Sequence, residues 1–156
     1  MTRTGLQNEL LKANVVAFLR AIRLGEGTSD AAGYWRLVGG GTFTDDSKHP
    51  RIKVYIPRYD IYSTAAGAYQ IIWPTWKGLV MKYAFPDFTP QSQDEAAVAL
   101  IEGRSALPAI HQGDLQKAIQ LCNKEWASLP GSPYGQRTES YEAVEAEYLL
   151  SGGVLA

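Results

Sequence analysis

A carboxylate set between two glycines, Gly25-Glu26-Gly27, stands where a helical pattern gives way, and it is the best acid–base candidate in the chain. A glutamate at a helix C-terminus lies in the negative end of the macrodipole, which disfavours ionisation and raises its pKa. A carboxyl still protonated near neutral pH can donate to a leaving oxygen. The glycines leave space for a polymer to approach. The competing reading is a solvated helix-end residue, the common fate of surface glutamates.

Other candidates carry less. Asp45 and Asp46 follow a Gly-rich turn and offer a second carboxylate, although adjacent aspartates in such loops are usually turn formers. His49 and His111 are far apart and lack the cysteine and acidic spacing of a metal site, and neither resembles a triad base. Gly39-Gly40-Gly41 is followed by no lysine-serine pair and no strand-helix unit, so it is backbone flexibility and not a phosphate cradle. Trp73, Trp76, Tyr83 and Trp126 fall at helical spacing and read as core, whereas Tyr59, Tyr62 and Tyr134 fall in loops and suit stacking on sugar rings.

The elements that must position these residues are mostly helical. Leu11, Val15, Phe18, Leu19 and Ile22 recur at three- and four-residue spacing, which predicts an amphipathic helix over 6–24 that Gly25 stops. Residues 33–67 turn to Gly, Thr, Tyr and β-branched types, with Ile52, Val54 and Ile56 alternating, and read as a small strand-and-loop lip. Helices follow from Trp73-Pro74 until Pro86, from Thr89-Pro90 to Gly103, from a cap at Asp114, and through Tyr141, Val144, Tyr148 and Leu149 to Gly152. The prolines of residues 129–136 exclude helix there. The pattern is one mainly helical α+β domain spanning 1–156 with a small β insertion.

Composition bounds the function. The 156 residues fit one core, and a net charge of −1 gives no attraction to a polyanion, so nucleic acid is an unsuitable partner. The single cysteine, Cys122, forms no internal disulfide and suits a reducing cytoplasm. The best N-terminal apolar run, residues 15–19, is followed by Arg20 and Arg23, which excludes a signal peptide, a membrane span and stable membrane association as expectations.

Taken in order, Glu26-Gly27-Thr28, Gly39-Gly40, Phe43-Thr44-Asp45, His49-Pro50-Arg51 and Ser63-Thr64-Ala65-Ala66-Gly67-Ala68-Tyr69-Gln70 resemble the bacteriophage lambda endolysin family. The resemblance continues through residues 88–94, Ala106-Leu107-Pro108 and Trp126-Ala127-Ser128-Leu129-Pro130-Gly131 to Tyr134-Gly135-Gln136. Each motif is weak and their order is the signal. The resemblance implies a lysozyme-like fold and a peptidoglycan lytic transglycosylase that cleaves the β-1,4 bond between N-acetylmuramic acid and N-acetylglucosamine. Glu26 matches the family's catalytic glutamate, with Ser63, Tyr69, Gln70, Tyr134 and Gln136 near the sugars and residues 51–62 and 128–137 as the two lips. Tyr69 and Gln70 equally suit a structural part, the amide bracing Glu26.

It further implies a monomer without metal or cofactor, made in the host cytoplasm and passed to the periplasm through holin lesions. An internal sugar nucleophile would explain why no second carboxylate accompanies Glu26 in sequence. A hydrolytic muramidase using Asp45 or Asp46 to position water, and a non-catalytic glycan-binding virion domain, are the alternatives. The chain departs from the family in a shortened Thr28–Gly33 segment, in Trp35, and in Ala68 where an arginine is usual, changes expected to alter contacts to peptide or lactyl groups.

Overall fold

The computed structural model describes residues 1–156. Its axis is a helix that is buried on most of its surface. The predicted first helix is two: α1 spans Arg3–Glu9 and α2 spans Ala13–Glu26. The chain turns at residues 10–12, where Leu11 and Lys12 donate to the carbonyls of Asn8 and Glu9. That turn lets α1 lie against a later helix, where Arg3 and Gln7 reach the buried Glu95. Leu11 is consequently 84% exposed instead of lying on the apolar stripe. The rest of the stripe is right, since Val15, Phe18, Leu19 and Ile22 are all buried. Each such side chain contributes roughly 2 kcal/mol on burial.

Gly25 does not stop α2 but lies inside it; the helix ends at Glu26, and Gly27 in the left-handed region (φ 72°) terminates it. Gly27 and Thr28 donate back to Leu24 and Arg23.

Around α2 pack α4 (Pro90–Gly103), α5 (Leu107–His111) and, most extensively, α7 (Tyr141–Leu150); α3 (Trp73–Tyr83) and α1 lie against α4, and α6 (Leu115–Cys122) against α5. Asp114 caps α6 as expected by accepting from the Lys117 N–H. Thr89 precedes α4 as expected but caps nothing with its side chain; its hydroxyl and that of Ser92 donate to Asp87 instead. α3 ends at Tyr83 and is capped by Ala84, which takes a left-handed φ of 57° before Pro86 is reached. Trp76, Tyr83 and Trp126 are core, whereas Trp73 is partly exposed. His49 is core too, 1% exposed, with Nε2 2.8 Å from the Ile71 carbonyl and Nδ1 accepting from the Arg51 N–H. Those bonds make it a neutral, fully used imidazole.

The β insertion is a single hairpin, β1 (Val54–Ile56) antiparallel to β2 (Ile61–Ser63), with Val54 opposite Ser63 and Ile56 opposite Ile61. Ile52 lies before the strand. Alternation puts Tyr55 and Tyr62 together on one face, ring centres 5.3 Å apart, and leaves Ile56, Ile61 and Ser63 to the other, which faces a cleft.

Candidate active site

The cleft is a cavity of about 450 Å³ between the hairpin and residues 125–139, and the C-terminal end of α2 forms part of its wall. Because α2 is held by helices along its length, its last residue is presented from a rigid support. That residue is Glu26.

Three neighbours fix the support. Arg23, 4% exposed, donates from Nε and Nη2 to the Thr28 carbonyl at 2.9 and 2.6 Å and from Nη2 to the Asp30 carbonyl at 2.8 Å. The fully buried Thr28 donates its hydroxyl to the Ala68 carbonyl, tying the end of α2 to the loop that carries Gln70. Gly25 permits close approach of the opposite wall, since a Cβ there would collide with the Ser128 hydroxyl. In Leu24-Gly25-Glu26-Gly27-Thr28, then, the first glycine admits Ser128, the second ends the helix, and the threonine anchors the exit.

Ser128 is the one hydrogen-bond partner of the Glu26 carboxyl, its Oγ donating to Oε1 at 3.2 Å. Enclosure by the cleft walls removes water from the carboxyl and pushes its pKa up to about 7, with the Ser128 hydroxyl pulling the other way. The direction expected from sequence is right, and burial in the cleft is its main cause. A carboxyl poised at neutrality can release and retake a proton with little driving force either way.

Of the residues expected near the sugars, Ser63, Gln70 and Gln136 share the cavity wall with Glu26. Gln70 does not brace Glu26: its Nε2 donates to the carbonyls of Arg36 at 3.2 Å and Gly67 at 2.9 Å. Those two bonds orient the amide and leave Oε1 as a free acceptor in the cleft. Ser63 Oγ accepts from the Ala65 N–H and keeps its own proton to donate.

Tyr69 is a correction, while Tyr134 stays on the expected lip. Tyr69 is 2% exposed and absent from the cleft; its hydroxyl donates to Asp94 at 2.6 Å, and its carbonyl accepts from the Trp126 indole N–H. Burial raises the Asp94 pKa, while the hydroxyls of Tyr69 and Tyr34 hold it back. Tyr134 is 55% exposed on the 128–137 lip with its hydroxyl turned to the Lys124 carbonyl, outside the cavity wall. Prolines and glycines announced that lip as irregular without saying which way its tyrosine points.

Asp45 and Asp46 are also outside the cavity. Asp45 is held by Ser47, and Asp46 accepts from the indole N–H of Trp35, which gives that unusual tryptophan a structural partner. Ala68 is fully buried, so this departure changes the interior and not a cleft contact. Arg58, Ser128 and Arg137 fall inside the two expected lips and line the wall, whereas Glu125 and Glu139 lie just outside them and were missed. Glu125 is paired with Arg104 at 3.2 Å, and Glu139 lies 3.7 Å from the exposed Arg137. Only their nearness to the expected 128–137 lip could have drawn attention to them.

A family model described as Endolysin matches residues 16–155. The endolysins of Escherichia phage lambda and Escherichia phage P2 are each 39% identical to the chain, over 145 residues (89% of this chain, 91% of that protein) and 158 residues (92% and 95%). The solved structure of bacteriophage lambda lysozyme complexed with a chitohexasaccharide superposes with a TM-score of 0.87 at 37% identity, covering 93% of this chain and 97% of that one. A second lambda lysozyme structure gives a TM-score of 0.84 at 36% identity, with the same coverage.

Proposed function

Because the chain belongs to the endolysin family, we propose that it degrades peptidoglycan as a lytic transglycosylase, with Glu26 as the sole acid and base. The supporting observation is Glu26 itself: a carboxyl with a pKa of about 7, on a rigid helix end, opening into a glycan-sized cleft. The relative solved with a chitohexasaccharide supports a glycan as occupant.

In this reading the strand lies between the hairpin and residues 125–139 with its scissile oxygen at Glu26. The protonated carboxyl gives its proton to the oxygen joining muramoyl C1 to glucosamine C4. The C1–O bond breaks and the leaving sugar departs with that proton as its hydroxyl. Glu26, now a carboxylate, takes the proton of the muramoyl C6 hydroxyl as O6 bonds to C1, closing a 1,6-anhydro ring. The carboxyl ends protonated, no water is consumed, and the site is ready again. Ser128 steadies the carboxylate between the two transfers, while Ser63, Gln70 Oε1 and Gln136 are placed to hold hydroxyl and acetamido groups.

The product decides the reaction. Mass spectrometry of digested sacculi is expected to show anhydromuramoyl ends, each lighter by one water than a reducing end. Reducing ends would overturn the transglycosylase reading in favour of a hydrolytic muramidase. One observation favours that second reading, namely that Glu139 lines the same cavity and supplies a carboxylate able to orient water. Asp45 and Asp46 supply none. We place the protein in the host cytoplasm as a monomer until holin lesions admit it to the periplasm, which fractionation before and after lesion formation checks.

A further inference from the structure

The cleft does not end at the hairpin. A second depression of about 560 Å³ opens between β2 and the first turn of α3, and Ile61, Ser63 and Ile72 belong to the walls of both. Its chemistry differs from that of the cavity it adjoins. The first is bordered by charges of both signs, Glu26, Glu125 and Glu139 with Arg58 and Arg137, whereas the second has no acidic side chain in its wall and has Lys53 at its rim. Arg51 adds another cation, its guanidinium carbon 4.1 Å from the centre of the Trp73 ring that forms part of the wall. Apolar surface is left open between these charges, with Ile61 49% and Tyr62 68% exposed.

We infer that this groove receives an acidic peptide carried by the glycan strand, its carboxylates against Lys53 and Arg51 and its aliphatic parts over Ile61 and Trp73. The inference rests on the reading of the cleft as a peptidoglycan site. Muramic acid bears on its lactyl group a short peptide with free carboxylates, so a strand seated at Glu26 carries such a peptide along the flank of the cleft. A groove sharing three wall residues with the cleft is in the right place to take it. A neutral sugar would use the aromatic wall but gain nothing from two cations without a counter-charge. An acidic peptide uses both.

The test compares peptide-bearing strands with the same strands stripped by an amidase. Lys53 is exposed and outside the wall of the catalytic cavity, so Lys53→Glu leaves folding and basal cleavage intact. It is expected to lower kcat/KM on peptide-bearing strands by about tenfold, more at low salt, and to leave stripped strands unaffected, while Lys53→Arg behaves as the parent. Equal loss on both substrates would make the groove a further sugar subsite, and no loss on either would remove it from binding altogether; each result overturns the inference. A parent protein that cleaves both substrates normally isolates this failure from failure of the glycan-cleavage reading. A parent that cleaves neither overturns both together.

Discussion

Two glutamates close two successive helices and are treated in opposite ways. Glu9, the last residue of α1, is 7% exposed, and burial pushes its pKa up; Lys12 at 2.7 Å and His111 at 2.6 Å outweigh that and hold it below the ordinary range. Glu26, the last residue of α2, meets no cation and only the Ser128 hydroxyl, and burial lifts it to about 7. The residue type is the same and the helix position is the same. What differs is whether the surroundings supply a positive partner, and that separates a carboxylate that stays charged and braces the fold from a carboxyl that exchanges its proton.

Replacing the proton carrier gives the largest effect. Glu26→Gln removes the group proposed to protonate the scissile oxygen, and cleavage of purified sacculi is expected to fall by at least ~10³-fold, within the range for a positioned general acid. Lysis of outer-membrane-permeabilised cells at the parent's rate would end the assignment.

The same substitution is expected to stabilise the fold. At low pH the folded and unfolded chains both hold the proton and Glu26 carries no penalty. As pH rises from about 4.5 to about 7 the unfolded chain ionises freely and the folded one resists, so stability relative to acid falls, by roughly 3 kcal/mol once pH exceeds the folded value. Glu26→Gln lacks that loss. Its melting temperature should exceed the parent's by several degrees at pH 8 and match it near pH 4.5, so a uniform difference across pH would contradict the desolvated carboxyl.

Glu9→Gln should behave in the reverse sense and more weakly. The lowered pKa of Glu9 means that its ion pairs add stability above the unfolded carboxylate value and that this is lost as pH falls through the folded one. Lys12 and His111 are themselves partly solvated, at 49% and 35% exposure, which limits the cost at pH 7 to about 1 kcal/mol. Denaturant midpoints at pH 7 and pH 4 measure it. Activity should be unchanged, because Glu9 is absent from the cleft wall.

How far sequence reaches follows from the same contrast. The apolar spacing of Val15, Phe18, Leu19 and Ile22 announced α2, because a 3.6-residue period is written locally, and the ordered motifs announced Glu26. Periodicity could not see the turn at residues 10–12, which exists because α1 must meet Glu95 on α4. Nor could it decide between the loop tyrosines and the loop glutamine. Tyr69 and Gln70 are adjacent, yet one points to Asp94 inside and the other to the cleft, a division set by the left-handed φ of 49° at Gln70 and by partners far along the chain. The contact of Ser128 with Glu26 was invisible for the same reason, being made across 102 positions.

Ser128 gives the smallest effect and the finest test of the comparison. Its hydroxyl is all that opposes desolvation at Glu26, playing faintly the part that Lys12 and His111 play strongly at Glu9. Ser128→Ala removes a donor to the carboxylate, so the Glu26 pKa should rise further and the alkaline limb of kcat/KM should move to higher pH, by up to about one unit for a single hydrogen bond. A merely structural serine would lower the profile without displacing it along the pH axis. Ser128→Lys should do the opposite and carry Glu26 toward the state of Glu9, with the alkaline limb moving to lower pH and cleavage at pH 7 falling as the acid is lost. If neither limb moves, the contrast between the two glutamates is not one of partners.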